Sequence, residues 1–480
     1  MKLRSVTAII TFLVILQPLQ AGNVVGYFIN WGIYGDRPYT AQDVPYDKLT
    51  HIQYAFFLPE TDGTIVSSDE DADEQILLGD KIWWPEETHD STTSLVHLAH
   101  QNNVKVLASV GGWTGSENFP AMAGSAQTRS RFCSSARALI EQYNFDGIDI
   151  DWEYPGFTDH NGTPQDAQNF VLLLDELRDT LDAMPGERKM ITLAISGGSH
   201  HGQNFLIEEF QEDVDYISIM TYDYTGAWGE GDSWHNSPLY DYGSSDNWSV
   251  DRAMEYYISR GVPASKFNIG MAFYGRTFAD CQGPNTSYTG PGSGEEPGMI
   301  YYSSVAEKLA DGSYSYCWDE QAKVPYCLSA DGEYCSYDDT ASVRMKAQYC
   351  MDKGYGGAII WELKSDFMAD GSQPLLAAAA NTLLQQTTPV KRVRKPQGLG
   401  FVCDNRSGKT KIRFSLAKGA DLSLSLFDLS GRAVYTYNRK FSRGKHSFIL
   451  PVGKNLAAGN YLLRMEKEDR VHTSSFTVSK

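Results

Sequence analysis

The 480-residue chain lacks several features that would place it in other functional classes. Beyond its first 21 residues no stretch reaches 18 consecutive apolar residues, so no conventional membrane-spanning helix is expected there. No Gly-x-Gly-x-x-Gly opens a helix after the first strand-like run, which argues against a dinucleotide-binding open sheet. Basic residues are scarce over the first 390 positions, 22 against 54 acidic ones, and that balance excludes nucleic acid as a partner of this part. The clustered cysteines include no Cys-x-x-Cys pair and have no histidine at zinc-ligand spacing, so disulfides are favoured over a metal. The last 90 residues contain no tryptophan, the ring most suited to stacking on a sugar.

What is present divides the chain into segments. Lys2 and Arg4 precede the apolar run 6–16 and the stretch 17–21, an order that reads as a secretory signal peptide over 1–21. An exported, extracellular or cell-surface protein is expected. Five of seven cysteines, Cys281, Cys317, Cys327, Cys335 and Cys350, fall within 70 residues, while Cys133 and Cys403 stand apart. The spacing leaves connectivity open, and the odd number leaves one thiol unmatched.

Short Val/Ile/Tyr/Phe-rich runs at 24–30, 49–57, 104–112, 146–154, 191–198, 214–224, 267–275 and 356–363 alternate with helical patterns at 91–102, 128–143, 164–184 and 249–260. Eight strands alternating with helices predict a (β/α)8 barrel over 22–384, with its active site at the C-terminal strand ends. The long gap between the seventh and eighth runs predicts an α+β insertion at about 276–350. A Pro- and Lys/Arg-rich linker is expected at 385–397. Six short alternating runs between 410 and 478 then predict a small all-β sandwich over 398–480. Charge separates the two parts: residues 391–480 carry 19 Lys+Arg against 6 Asp+Glu.

The chemistry concentrates in Phe145-Asp146-Gly147-Ile148-Asp149-Ile150-Asp151-Trp152-Glu153-Tyr154-Pro155. Asp149, Asp151 and Glu153 alternate with apolar residues, so a strand would align the three acids on one face, about 6.6 Å apart per pair. A calcium loop would need Gly or Asn spacers, which the Ile/Trp alternation does not supply. Asp146 falls out of phase and is read as structural.

This segment resembles the D-x-x-D-x-D-x-E signature of the family 18 glycoside hydrolases, the chitinases, with every position filled. The resemblance extends over roughly 23–384 and includes Ser109-Val110-Gly111-Gly112-Trp113, Met220-Thr221-Tyr222-Asp223-Tyr224 and Gly357-Ala358-Ile359-Ile360-Trp361-Glu362, while Met271-Ala272-Phe273-Tyr274-Gly275-Arg276 is placed at the end of the seventh strand by its position. It also includes Tyr316-Cys317-Trp318-Asp319 and Ser336-Tyr337-Asp338-Asp339 in the insertion.

By that resemblance Glu153 protonates the leaving oxygen, Asp151 holds the substrate acetamide N–H, Asp149 completes the coupled set, and Tyr222 with Asp223 contacts the acetamide. Trp361 would form an apolar floor and Trp113 would flank the leaving side, with Tyr27, Phe56, Met220, Tyr274 and Arg276 lining the cleft. Trp228 is a weaker candidate; Trp83-Trp84 either extends a sugar track or covers the barrel. The implied activity is hydrolysis of β-1,4 bonds in chitin or chito-oligosaccharides by a monomer, with substrate assistance and no metal or other cofactor. An endo-β-N-acetylglucosaminidase and an inactive chitin-binding lectin are the rivals. The tail pieces 426–432 and 456–461 resemble the C-terminal sorting domains of type IX secretion, which implies the secretion machinery as a partner; a carbohydrate-binding module is the alternative.

Overall fold

A computed structural model describes residues 22–384 apart from 85, 230 and 242–247, together with the tail strands between 401 and 478. The expected signal peptide and linker lie outside the described residues. The chain divides into two compact units, Met1–Gln386 and Thr387–Lys480.

The first unit is built on eight parallel strands: β1 (Asn23–Ile29), β2 (His51–Pro59), β3 (Lys105–Gly111), β4 (Gly147–Asp151), β5 (Met190–Ser196), β6 (Tyr216–Met220), β7 (Phe267–Ala272) and β8 (Gly357–Trp361). Each pairs with its sequence neighbour, and β8 returns to pair with β1, which closes the sheet into a (β/α)8 barrel. The strands are almost wholly buried on both faces, as a parallel sheet wrapped by helices requires. Outside the barrel, Ile148, Ile150, Ile191 and Leu193 pack on helix residues Phe132, Leu139, Phe170, Leu173 and Leu177 in one continuous core. Each such side chain contributes about 1.5–3 kcal/mol on burial.

The helices at Ala126–Tyr143 and Asp166–Asp182 form as the patterning predicts. Ser125 caps the first by accepting from the Thr128 N–H, and Asn144 ends it in the left-handed conformation.

Strand limits differ from the sequence expectation in three places that matter for the site. β4 ends at Asp151 and β6 at Met220, so Glu153, Tyr222 and Asp223 stand on loops just beyond the ladder. β7 ends at Ala272. After Phe273 the chain enters a separate strand, Tyr274–Ala279, which belongs to the insertion. The insertion is an antiparallel sheet ordered 290–291, 274–279, 334–336, 324–329, 314–319, with Met299–Tyr301 also on Tyr274–Ala279 and a helix at Tyr302–Ala310. Tyr274 and Arg276 are therefore carried by the insertion rather than by the end of β7. The helix Thr340–Lys353, which the expected boundary at 350 assigned mostly to the insertion, packs instead on β7, β8 and the helix Pro374–Leu383.

The disulfide expectation is also corrected. Cys133, Cys281, Cys317, Cys327, Cys335 and Cys350 are all free thiols. Of the five that lie close in sequence, Cys327 and Cys335 are register partners on neighbouring strands of the insertion sheet, Cys281 and Cys317 lie elsewhere in the insertion, and Cys350 is on a barrel helix. The Cys350 thiol donates to the Gly357 carbonyl at 3.2 Å, and Cys281 to that of Gly283 at 3.3 Å. The second unit comprises a three-stranded sheet containing Phe401–Arg406 and a four-stranded sheet containing Arg470–Val478, both antiparallel.

Candidate active site

The site is assembled around Asp149, which is fully buried at the centre of the barrel. Its Oδ2 accepts from the Tyr27 hydroxyl at 2.9 Å and the Ser109 hydroxyl at 2.8 Å. Its Oδ1 accepts from the Gln53 amide and the Thr192 hydroxyl, both at 2.6 Å. These donors come from β1, β3, β2 and β5. Strand register places Ser109 and Thr192 directly beside Asp149, so the network follows from barrel closure. Burial pushes the Asp149 carboxyl up to about 6, while the donated hydrogen bonds pull it back toward the anion.

Asp151 is also buried, yet its Oδ1 has no hydrogen-bond partner. Burial, then the charges of Glu153 and Asp149, hold its carboxyl well above the usual range. Glu153 is partly exposed and lies past the end of β4, and desolvation pushes its carboxyl up to about 7. The three acids thus form a graded set: a four-donor anion at the bottom, an unsatisfied carboxyl in the middle and a protonatable carboxyl at the rim. Such a set can hold a proton near neutrality and deliver it to a leaving oxygen.

Close packing at the end of β3 depends on two glycines with positive φ. A Cβ on Gly111 would come within 2.2 Å of the Asp151 carbonyl oxygen, and one on Gly112 within 2.6 Å of the Phe56 ring. The Gly112 N–H donates to the Asp151 carbonyl at 2.9 Å.

Tyr27, Phe56, Met220, Tyr222, Tyr274 and Trp361 come together in one apolar cluster lining the barrel mouth. Trp361 lies 5.6 Å from Phe56 and 5.2 Å from Tyr27, ring centre to ring centre. Asp223, with φ 57°, forms an ion pair with Arg276 at 2.7 Å. Arg276 in turn sits over Trp228 at 4.8 Å. Trp113 stands apart from this group, 54% exposed, against Phe157 and His160. Trp83 and Trp84 lie on or next to the hairpin 80–90, 71% and 84% exposed. Asp146 is bonded by His100 and the Val106 N–H at 2.8 Å each, consistent with a structural part just before β4.

A profile of glycosyl hydrolases family 18 matches residues 23–366, the whole span that carries these residues. The chain belongs to that family. It is a chitinase-like hydrolase, and its relatives bear this out. It is 36% identical to Chitinase 1 of Aphanocladium album over 75% of this chain and 85% of that protein. It is 34% identical to Chitinase A1 of Niallia circulans over 73% of this chain, and the match spans 58% of that longer protein. The crystal structure of the Ostrinia furnacalis Group IV chitinase in complex with allosamidin superposes with a TM-score of 0.68. That match has 30% identity and covers 76% of this chain and all of that one.

Within this family 18 barrel, sequence reading overlooked several residues. Trp31 is 40% exposed and extends the aromatic floor, 6.2 Å from Phe56 and 6.4 Å from Trp361. Gln53 and Thr192 complete the Asp149 network. Asn236 holds the Asp223 loop: its Oδ1 accepts from the Asp223 N–H at 3.0 Å, and its amide donates to the Tyr274 carbonyl at 3.2 Å. β2 and β5 carried a signal for Gln53 and Thr192, since each is a polar residue flanked by apolar ones inside its strand. Trp31 and Asn236 lie outside strands and carried none.

Proposed function

We propose that the barrel hydrolyses β-1,4 bonds between N-acetylglucosamine units with retention, using the substrate acetamide as nucleophile and Glu153 as acid and then base. The observation that carries this reading is the buried Asp151 Oδ1 without a partner, between an anchored carboxylate and a protonatable one. An acetamide N–H would satisfy that oxygen and place its own carbonyl beneath the anomeric carbon. An unpartnered buried polar atom costs about 1–3 kcal/mol, so a ligand that supplies the missing donor recovers that amount. Trp361, Phe56, Tyr27 and Trp31 offer an apolar surface suited to the C–H face of a sugar ring. Intact Asp151 and Glu153 weigh against an inactive lectin.

Glu153→Gln keeps the size of the side chain and removes its transferable proton. Turnover of chitohexaose should fall by roughly 10²–10⁴-fold while binding of the oligomer persists. Wild-type turnover in this variant would refute the assignment. Release from a high-mannose glycoprotein in preference to chito-oligosaccharides would favour the endo-β-N-acetylglucosaminidase reading.

For the second unit, we propose export with the tail as a sorting element, supported by its Leu456-Ala457-Ala458-Gly459-Asn460-Tyr461 stretch and its lack of tryptophan. Truncation at Pro396 should leave chitohexaose hydrolysis unchanged and block surface delivery in the native host. Normal delivery, with chitin adsorption lost at raised salt, would instead identify a binding module.

A further inference from the structure

Because the β4 ladder stops at Asp151, the main chain of Glu153 has no strand neighbours to fix it. Two side chains do so instead. The Glu153 N–H donates to the Ser116 hydroxyl at 2.8 Å, and the Glu153 carbonyl oxygen lies 2.7 Å from His160 Nδ1. A carbonyl oxygen only accepts, so Nδ1 carries the hydrogen whichever charge the ring bears. The same imidazole meets the Trp113 indole edge-on, with ring centres 4.6 Å apart and planes at 61°. His160 is itself buried, in the turn Thr158–His160. That turn is tied back to the strand end by the Phe157 N–H to the Tyr154 carbonyl at 3.0 Å and the Gly162 N–H to the Phe157 carbonyl at 2.8 Å. One ring therefore touches both the backbone of the proposed acid and the exposed indole on the proposed leaving side.

We infer that His160 is a positioning residue with two separable tasks: it fixes the Glu153 peptide through Nδ1–H, and it holds Trp113 at the angle that receives the leaving-side sugar. The inference rests on the chitinase reading of Glu153 and Trp113. A displacement of a catalytic group by even 1 Å can cost as much as 10²-fold in rate. Loss of an edge-to-face aromatic contact is worth about 2- to 12-fold in affinity.

Two variants separate the tasks. H160N keeps an N–H at the position of Nδ1 and removes the ring, whereas H160F keeps the ring and removes the donor. For H160F, kcat on chitohexaose should fall about 10-fold or more with KM within twofold. For H160N, kcat should stay within threefold while KM for chitohexaose rises about 5-fold. KM for an aryl glycoside of chitobiose, which has no sugar on the leaving side, should remain unchanged. Equal losses of the same parameter in both variants would overturn the inference. So would a fall in melting temperature with neither parameter moved beyond twofold. Trp113 placement is also read without turnover, as the difference in fluorescence between each variant and its W113F counterpart. H160N should shift that signal and H160F should preserve it; no shift in H160N overturns the inference. A wild type inactive on every oligomer counts against the chitinase reading alone, and the fluorescence comparison still tests His160.

Discussion

Replacing Asp149 with asparagine should inactivate the enzyme and stabilise it at the same time. In the fold, burial moves the Asp149 carboxyl from about 3.8 up to about 6. Between those values the native state holds a proton that the unfolded chain has released. Stability therefore falls as pH rises from about 4 to about 6 and stays low above that. A shift of roughly two units corresponds to about 3 kcal/mol, since each unit is about 1.4 kcal/mol.

The asparagine side chain has no charge to desolvate, and its oxygen can keep the Gln53 and Thr192 donors if it takes the place of Oδ1. Its amide would then face the Tyr27 and Ser109 hydroxyls, which can turn to accept. At pH 7.5 the Asp149→Asn variant should gain up to about 3 kcal/mol. With an unfolding entropy of about 2.1 cal/mol/K per residue, that is about 4 °C in Tm for a barrel of this size. Scanning calorimetry on both proteins at pH 7.5 and pH 4 makes the test, because the gap should shrink toward zero at the lower pH. A variant less stable than wild type at pH 7.5, or a gap that ignores pH, would refute the reasoning. Asp149→Leu supplies the contrast. It removes the charge as well but strands all four donors, at about 1–3 kcal/mol each, and should be strongly destabilised.

Lys346 is fully buried and bonds Asp338 at 2.6 Å and the Ser237 hydroxyl at 2.7 Å. Lys346→Met leaves Asp338 buried without its cation and should cost about 3–5 kcal/mol in denaturant unfolding; a change below about 1 kcal/mol would refute the importance of the pair. Trp361→Ala removes the central ring of the aromatic floor. Roughly 100 Å² of indole against a sugar face, at about 25 cal/mol per Å², is about 2.5 kcal/mol, so kcat/KM on chitohexaose should fall about 70-fold. An unchanged kcat/KM would show that the sugar does not rest there.

The barrel and its acids were legible because both are written in short-range pattern. Eight apolar runs separated by helical periodicity leave few alternatives to a closed parallel sheet, and a two-residue spacing of carboxylates fixes their common face whatever the rest of the chain does. Even so, the pattern placed Glu153 inside a strand, although the ladder ends at Asp151 and Glu153 is held by Ser116 and His160 instead. The apolar alternation continues through Trp152, but strand pairing depends on a neighbour, and β3 turns away at Gly111-Gly112.

The same reason hid the insertion's start, since Phe267 to Gly275 reads as one run while the chain changes sheets after Phe273. Clustered cysteines suggested disulfides, but only Cys327 and Cys335 are brought opposite each other on neighbouring strands, while Cys350 goes to a barrel helix, a division that sequence distance does not reveal. The acids themselves were therefore set by sequence alone. Which of them is an anchored anion and which can carry the proton was decided by tertiary structure, because Asp149 takes its four donors from strands 40 to 122 residues away. Only closure of the barrel brings those strands to one carboxylate and leaves its neighbour, Asp151, with an oxygen unpaired.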